Sequence, residues 1–349
     1  MDIVTHGLAS LAIARGFFPR AGKAAMTCTV LAGTIADVDW VSNYFGPSAY
    51  FAWHGTYAHS IFAVFVMLAA IPTVPVVRHF FHHEREIVAS PRIATGRMFW
   101  AAAVAASFCA ALLHIAMDAC QSGGFEIFWP FSSKRFAADW LPALDPWILT
   151  ILILTIAVPE LLRLVSSEIG AKEKKPRGQT GAIIGFVLIF AYVGVRATLH
   201  SNVLAMMNAR TFHGETARRV SAFPEALSVL TWHGVAETES ALNQMDVDVT
   251  AGSTFDPDTS TRVFKPQSSP VLDAARDTGT ARRFLATAQI PKASVEKNET
   301  GYVVTLRDLA YAASGESQRE VAARIELDLN NKVKSQELIW VSSARELPN

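Results

Sequence analysis

The sequence predicts a membrane-embedded bundle of about six α-helical segments over residues 1–200, followed by a β-rich domain outside the membrane over residues 201–349. Two features of the composition support this fold class. The chain is 51% hydrophobic and 18% charged, which is too apolar for a water-soluble protein of 349 residues. Nearly all the long apolar runs lie before residue 200, whereas the rest is polar and alternates as strands do.

The predicted spans are apolar runs close to the roughly 20 residues that a helix needs to cross a bilayer. The first two runs are short or rich in Gly, Ala and Thr, a composition that suits helices packed against other helices. The later four are clearer as membrane spans and almost uncharged. The six runs cover residues 3–18, 24–41, 60–77, 98–117, 147–164 and 181–199.

Basic side chains orient these helices in the membrane. Lys and Arg are frequent in the first, third and fifth connections and scarce in the other two, which cover residues 42–57 and 120–146. Because an excess of Lys and Arg marks the cytoplasmic side, the two basic-poor connections and both termini are predicted to lie outside. We therefore expect a multi-pass protein of the cytoplasmic (inner) membrane with an extracytoplasmic C-terminal domain.

Acidic and imidazole side chains stand at the ends of the apolar runs, where an unpaired charge is costly. All of them fall on the predicted outer face, which was not an assumption of the topology. These residues are His6, Asp37, Asp39, His59, His114 and Asp118. Their gathering on one face predicts a metal site there, because a cluster of carboxylates at low dielectric needs cations to neutralise it.

The local geometry is compatible with metal ligation. His114 and Asp118 are four residues apart, so on a helix they project from one side. Asp37 and Asp39 would point about 200° apart on a continuous helix and can converge only if the helix ends there, as the Gly and Pro in residues 42–47 indicate. Mixed imidazole and carboxylate ligands suit zinc, manganese or iron, and a bridging Asp can hold two ions.

Each residue also has a simpler explanation. A single His near a helix end, such as His6 or His54, is frequently an interfacial hydrogen-bonding group. Asp39 could cap a helix, and His114 with Asp118 could form a hydrogen bond without metal. The metal site therefore rests on the whole set.

The sequence resembles the bacterial membrane-bound metal-dependent hydrolases, also described as LexA-binding, inner-membrane-associated hydrolases. The resemblance covers residues 1 to about 165, in a longer branch with a C-terminal outer domain. The matching motifs are Thr5-His6-Gly7, Ala36-Asp37-Val38-Asp39, His54 with His59-Ser60, Leu113-His114-Ile115-Ala116-Met117-Asp118, Trp129-Pro130-Phe131-Ser132-Ser133-Lys134-Arg135 and Leu144-Asp145-Pro146.

The resemblance implies a multi-helix membrane domain with a metal centre on the six acid and imidazole residues named above, and adds His54 and Asp145 as further residues of the site. From the chemistry of these ligands we expect one or two divalent ions, zinc first, with catalytic roles for Asp39 and His54 and a supporting role for Asp145. The family pattern His-Arg-Gly-x-Thr-His-Ser is altered here, since Gly55 follows His54 directly and Ala58 precedes His59. An arginine that would face an anionic substrate is therefore missing.

Lys134 and Arg135 are the nearest cations in sequence that could hold a phosphate, although contacts with lipid headgroups explain them equally well. They lie in an aromatic connection, residues 120–146, of the composition expected at a membrane interface. Membrane lipid is thus a predicted partner. Zero net charge and the lack of a basic, aromatic patch argue against nucleic acid.

Beyond residue 200 the sequence predicts strands at residues 227–232, 246–249, 262–265, 302–306, 324–329 and 337–342. Two functional hypotheses remain open. The first is a metal-dependent hydrolase at the outer face, acting on a phosphoester or another lipid-headgroup bond. The second is a non-catalytic membrane protein in which the cluster is structural and the outer domain binds a partner.

Overall fold

The computed structural model describes residues 1–19, 22–69, 97–168, 178–250, 255–310 and 319–342. The N-terminal half is helical and the C-terminal half is rich in β-sheet, as predicted. Among the residues described, the helices of the first half are α1 (Ile3–Phe17), α2 (Gly22–Thr34), a 3₁₀ helix (Ile35–Phe45), α3 (Pro47–Trp53), α4 (Ile61–Ala69), α5 (Arg97–Ala119), α6 (Pro146–Glu168) and α7 (Gln179–Asn208).

The prediction of about six spans is not supported. Within the described ranges, three helical stretches are long and apolar enough to cross a membrane, namely Gly22–Phe45, Ala101–Ala119 and Gln179–Asn208. Ile3–Phe17 and Pro146–Leu162 are apolar but shorter. A 15-residue helix such as α1 extends only about 22 Å at 1.5 Å per residue, less than the roughly 30 Å of a hydrocarbon core. The run predicted at residues 60–77 lies partly outside the described residues.

Helix α1 is instead surrounded by other helices. Its Ala9, Ala12 and Ile13 are buried against residues of α5, α6 and α7. Small residues make this close packing possible: a Cβ on Gly16 would lie 3.1 Å from that of Ala182 in α7. Apolar composition alone does not distinguish such a buried helix from one that faces lipid.

The α-helical conformation of α2 ends at Thr34. The sequence predicted that this segment continues to residue 41. A 3₁₀ helix continues to Phe45, and Gly46, with φ of 96°, turns the chain into α3, where Pro47 occupies the first turn. This change of helix type places Asp37 and Asp39 in the narrower 3₁₀ geometry.

The C-terminal half contains two four-stranded antiparallel sheets, with orders β3-β4-β5-β6 and β10-β9-β8-β7, and a two-stranded ribbon. The strands are β1 (Thr211–Phe212), β2 (Glu215–Thr216), β3 (Arg219–Pro224), β4 (Thr231–Glu237), β5 (Ala241–Asp248), β6 (Thr261–Phe264), β7 (Pro291–Asn298), β8 (Gly301–Asp308), β9 (Arg319–Asp328) and β10 (Val333–Ser342).

Two helices that the sequence reasoning missed, α8 (Pro270–Arg276) and α9 (Gly279–Thr287), cover the second sheet. Strands β3 and β7 were also missed. The predicted strand at residues 227–232 overlaps only the start of β4.

Helix α7 joins the two halves, because it continues to Asn208 and its Val203 and Met207 are buried against Trp232 of the first sheet. Arg196 is buried at this junction. Its guanidinium donates hydrogen bonds to the carbonyl oxygens of Trp140, Ser228 and Val229 and lies 4.2 Å from the centroid of the Trp232 ring. The boundary predicted at residue 200 falls inside this helix and stays a prediction.

Candidate metal centre

Four separate segments bring the predicted ligands together. His6 comes from the second turn of α1, Asp37 and Asp39 from the 3₁₀ helix, His59 from the turn before α4, and His114 with Asp118 from the end of α5. Potential ligand atoms of His6, His114 and Asp118 all lie within 4.8 Å of one another, and the same holds for Asp37, His59 and His114. The two groups share His114.

Short distances link imidazole nitrogens to carboxylates across this cluster. His6 Nδ1 is 3.0 Å from Asp37 Oδ2, and His114 Nε2 is 3.1 Å from Asp118 Oδ2. His59 Nε2 lies 3.4 Å from the same oxygen of Asp118. The spacing of four residues therefore places the His114 and Asp118 side chains on one side of α5.

Several ligand atoms are buried without a hydrogen-bond partner among the described residues. They are His6 Nε2, His59 Nδ1, His114 Nε2 and Asp118 Oδ2. Buried polar atoms are nearly always paired, so four unpaired atoms in one cluster require an explanation. Imidazole nitrogens and a carboxylate oxygen are the donors that zinc, manganese and iron accept, so these residues fit a divalent cation.

A hydrogen bond on the side of the ring away from the cluster orients His114. Its Nδ1 donates a hydrogen bond to the carbonyl oxygen of Gly33, at 2.8 Å, which turns Nε2 towards the cluster and selects the tautomer suited to a ligand. A Cβ on Gly33 would lie 1.8 Å from Ser10 Oγ, so only glycine fits where α2 passes α1. The sequence reasoning did not identify Gly33, because its role depends on the contact between these helices.

The surroundings of His59 favour positive charge. Burial lowers its pKa, but the nearby carboxylates of Asp37 and Asp39 outweigh burial and raise the pKa to about 10. A cation at this place, whether a proton or a metal ion, compensates the carboxylates.

Two more groups missed by the sequence reasoning contact Asp118. Gln121 donates from Nε2 to Asp118 Oδ1 at 2.6 Å, and the α-amino group of Met1 contacts the same oxygen. Gln121 follows Asp118 by three residues, the spacing of neighbours on a helix surface, which was the available signal.

Asp39 and His54 form an outer pair beside this cluster. Asp39 Oδ1 lies 3.1 Å from His54 Nδ1, and Asp39 Oδ2 accepts a hydrogen bond from the backbone N–H of Gly55. The His54 side chain is 34% exposed. The pair therefore faces the entrance of the site, with His59 between it and the buried groups.

A cavity of about 360 Å³ lies above the cluster, within the size range of small-molecule sites. Its wall combines Asp37, His59 and Asp118 with the outer His54 and with Arg135. The apolar part of its lining includes Trp40, Tyr50, Phe125, Ala143 and Leu144.

The other predicted site residues, Lys134, Arg135 and Asp145, lie outside the cluster of acid and imidazole side chains. Arg135 lines the cavity and donates from Nη2 to the carbonyl oxygen of His54, whereas Lys134 is exposed to solvent. Asp145 caps α6 by accepting the N–H groups of Trp147 and Ile148, and it also accepts the Tyr192 hydroxyl. Its carboxylate thus supports the bundle through α6 and α7.

A family model described as YdjM inner membrane protein matches residues 1–203. No curated protein and no solved structure matches the chain. The match covers the helical half and all the clustered acid and imidazole residues. It agrees with the bacterial inner-membrane part of the resemblance, while hydrolysis and LexA binding stay predictions.

Proposed function

The chain belongs to the YdjM inner membrane protein family, and from this premise we propose that it is a membrane-bound, metal-dependent hydrolase. The observation that carries the proposal is the buried cluster at the floor of the cavity. Two histidines, His6 and His114, and the aspartate Asp118 direct buried atoms without a hydrogen-bond partner towards one another there. His6, Asp37, His59, His114 and Asp118 would hold one or two divalent ions, with zinc, manganese and iron as the metals of choice.

A bound divalent cation supplies Lewis acidity and an acidified water for attack on a phosphoester or a related bond. The outer pair suits proton transfer, because Asp39 orients the partly exposed His54 towards the cavity, where its imidazole can accept or donate a proton. Asp39 belongs to this pair and also lies 3.2 Å from His59 Nδ1.

Arg135 supports an anionic substrate. Its guanidinium reaches the cavity wall, and its Nε is buried without a hydrogen-bond partner among the described residues. An arginine can hold a phosphoryl group through paired hydrogen bonds. A phosphoester, or the headgroup bond of a membrane lipid, is the substrate class that such a site would take.

The first test is metal content together with turnover. Protein purified in detergent without chelators should contain about one or two equivalents of transition metal per chain, as mononuclear or dinuclear hydrolytic sites do. It should hydrolyse at least one member of a phosphoester panel, and chelation should abolish this activity. Protein that is metal-free as purified, or metal-loaded and inactive on the whole panel, would contradict the proposal.

The second test is membrane orientation. In the proposed topology the cluster and the C-terminal domain face away from the cytoplasm, as the basic connections predict. A C-terminal alkaline phosphatase fusion should therefore be active and a C-terminal green fluorescent protein fusion dark. The opposite pattern would move the site to the cytoplasmic side.

A structural, non-catalytic cluster is the second candidate. His6 pairs with Asp37 and His54 pairs with Asp39 in the structure, so hydrogen bonds could join these segments without hydrolysis. The altered histidine motif favours the same alternative. Stoichiometric metal without any turnover would select it.

A further inference from the structure

Helix α3 lies between the cavity and the second sheet of the C-terminal half. None of its seven residues is buried, so its position depends on a few side-chain contacts. Tyr50 packs against Trp340 of β10 with ring centroids 5.2 Å apart. Phe51 stacks on Phe284 of α9 at 6.0 Å and joins the apolar cluster of the second sheet.

The same helix positions His54. The imidazole stacks on Tyr50, with centroids 4.7 Å apart and planes 18° apart, and the His54 N–H donates to the Tyr50 carbonyl oxygen. A continuous series of ring contacts thus runs from Trp340 through Tyr50 to His54. The imidazole of His54 in turn contacts the Asp39 carboxylate. Each centroid separation lies in the range of favourable aromatic packing.

The opposite rim of the cavity is also attached to the C-terminal half. Gln289, just after α9, donates from Nε2 to the carbonyl oxygen of Ser122 at 2.7 Å. Its own carbonyl oxygen accepts a hydrogen bond from Arg219. Ser122 lies between Gln121, which contacts Asp118, and the cavity-lining Gly123. Residues 284–289 therefore contact both rims, α3 through Phe284 and the Ser122 loop through Gln289.

We propose that the C-terminal domain is a clamp on the cavity and that Trp340 is a positioning residue, which acts through Tyr50 to hold His54 against Asp39. The clamp rests on the proposed function for its catalytic meaning, although its geometry can be tested without turnover. It assigns a role to residues beyond the 1–203 that the family model covers. Trp340 need not touch substrate, because it determines where α3 and its C-terminal histidine lie.

The test uses full-length protein in detergent and measures the rate at which diethyl pyrocarbonate modifies His54, resolved by peptide mass spectrometry. Trp340→Ala should raise this rate about fivefold, the order expected when one aromatic pair that opposes local opening is lost. Trp340→Phe, which keeps a ring, should restore most of the protection. Bound metal should be unchanged, since the buried ligands do not contact β10.

Val333→Ala is the matched control, because it truncates a partly exposed apolar side chain at the other end of β10. Phe51→Ala removes the other ring contact between α3 and the C-terminal half, that with Phe284, and leaves the sequence of the sheet intact. It therefore tests the clamp even if Trp340→Ala fails to fold. Equal His54 modification in Phe51→Ala, Trp340→Ala and Val333→Ala would overturn the clamp. That result would leave the metal and turnover tests unaffected, so the two proposals can fail separately.

Discussion

Replacing Asp118 with Ala is expected to reduce bound metal to below about one-tenth of the wild-type content and to abolish hydrolysis, because a ligand of a mixed imidazole and carboxylate site is lost. Asp118 is buried beside His6, His59 and His114 and shares their cluster. Its loss removes a carboxylate that lies within 3.4 Å of all three imidazoles. Metal content is measured by inductively coupled plasma mass spectrometry.

The same variant should lose the stabilisation that metal confers. An ion that binds only the folded state stabilises it by about 4 kcal/mol at a free concentration 1,000 times its Kd. Chelation should therefore lower the melting temperature of wild-type protein by several degrees and leave that of Asp118→Ala almost unchanged. Glu299→Ala, at an exposed turn between β7 and β8, should behave as wild type. If Asp118→Ala keeps both its metal and the shift on chelation, the centre does not exist as described.

Replacing Gly33 with Ala is expected to damage both folding and metal binding without touching a ligand. The added Cβ would lie 1.8 Å from Ser10 Oγ and 3.0 Å from Ser10 Cβ. Ser10 must therefore rotate and lose its hydrogen bond to the His6 carbonyl oxygen, and α1 and α2 must move slightly apart. Overpacking of this kind costs about 1–3 kcal/mol. Because α1 carries His6 and Gly33 accepts the Nδ1 hydrogen bond of His114, the separation also misplaces two imidazoles. A lower melting temperature and a tenfold or larger loss of metal affinity are expected, the latter on the order seen when ligand-supporting groups are changed.

Two further variants distinguish a packing effect from a general effect of alanine. Gly194→Ala places its Cβ in open space within α7 and should be neutral or stabilising by up to about 1 kcal/mol, because Ala favours helix over Gly. Combining Gly33→Ala with Ser10→Gly removes both atoms of the clash and should recover much of the stability and metal. Wild-type behaviour of Gly33→Ala alone would show that α1 and α2 are not packed this closely.

Much of the helical half was predictable because the signals are local. Apolar runs and the spacing of His114 and Asp118 depend only on neighbouring residues. The number of spans was not predictable in this way. A short apolar helix such as α1 has the same sequence pattern whether it faces lipid or is enclosed by other helices, and only packing distinguishes the two cases.

In the C-terminal half, only some of the strands could be predicted from the sequence. Four of the predicted strands overlap well with β6, β8, β9 and β10, since alternation is visible within each segment. Strand β7 reads Pro-Lys-Ala-Ser-Val-Glu-Lys-Asn and is mostly polar, so its pairing with β8 rather than its own pattern makes it a strand. For a strand of this kind, pairing with the adjacent strand determines the conformation.

The sequence by itself determined that acid and imidazole side chains end the apolar runs, that His114 and Asp118 share a helix face, and that a β-rich region follows. Only the tertiary structure decided that His6 lies against Asp37 and that Gly33, 81 residues away in the chain, orients His114. It also decided that Asp145 supports helices and that Trp340 reaches His54 through Tyr50. The reason is physical: spacing along a helix fixes directions over a few residues, whereas the meeting of distant segments depends on how whole helices and sheets pack.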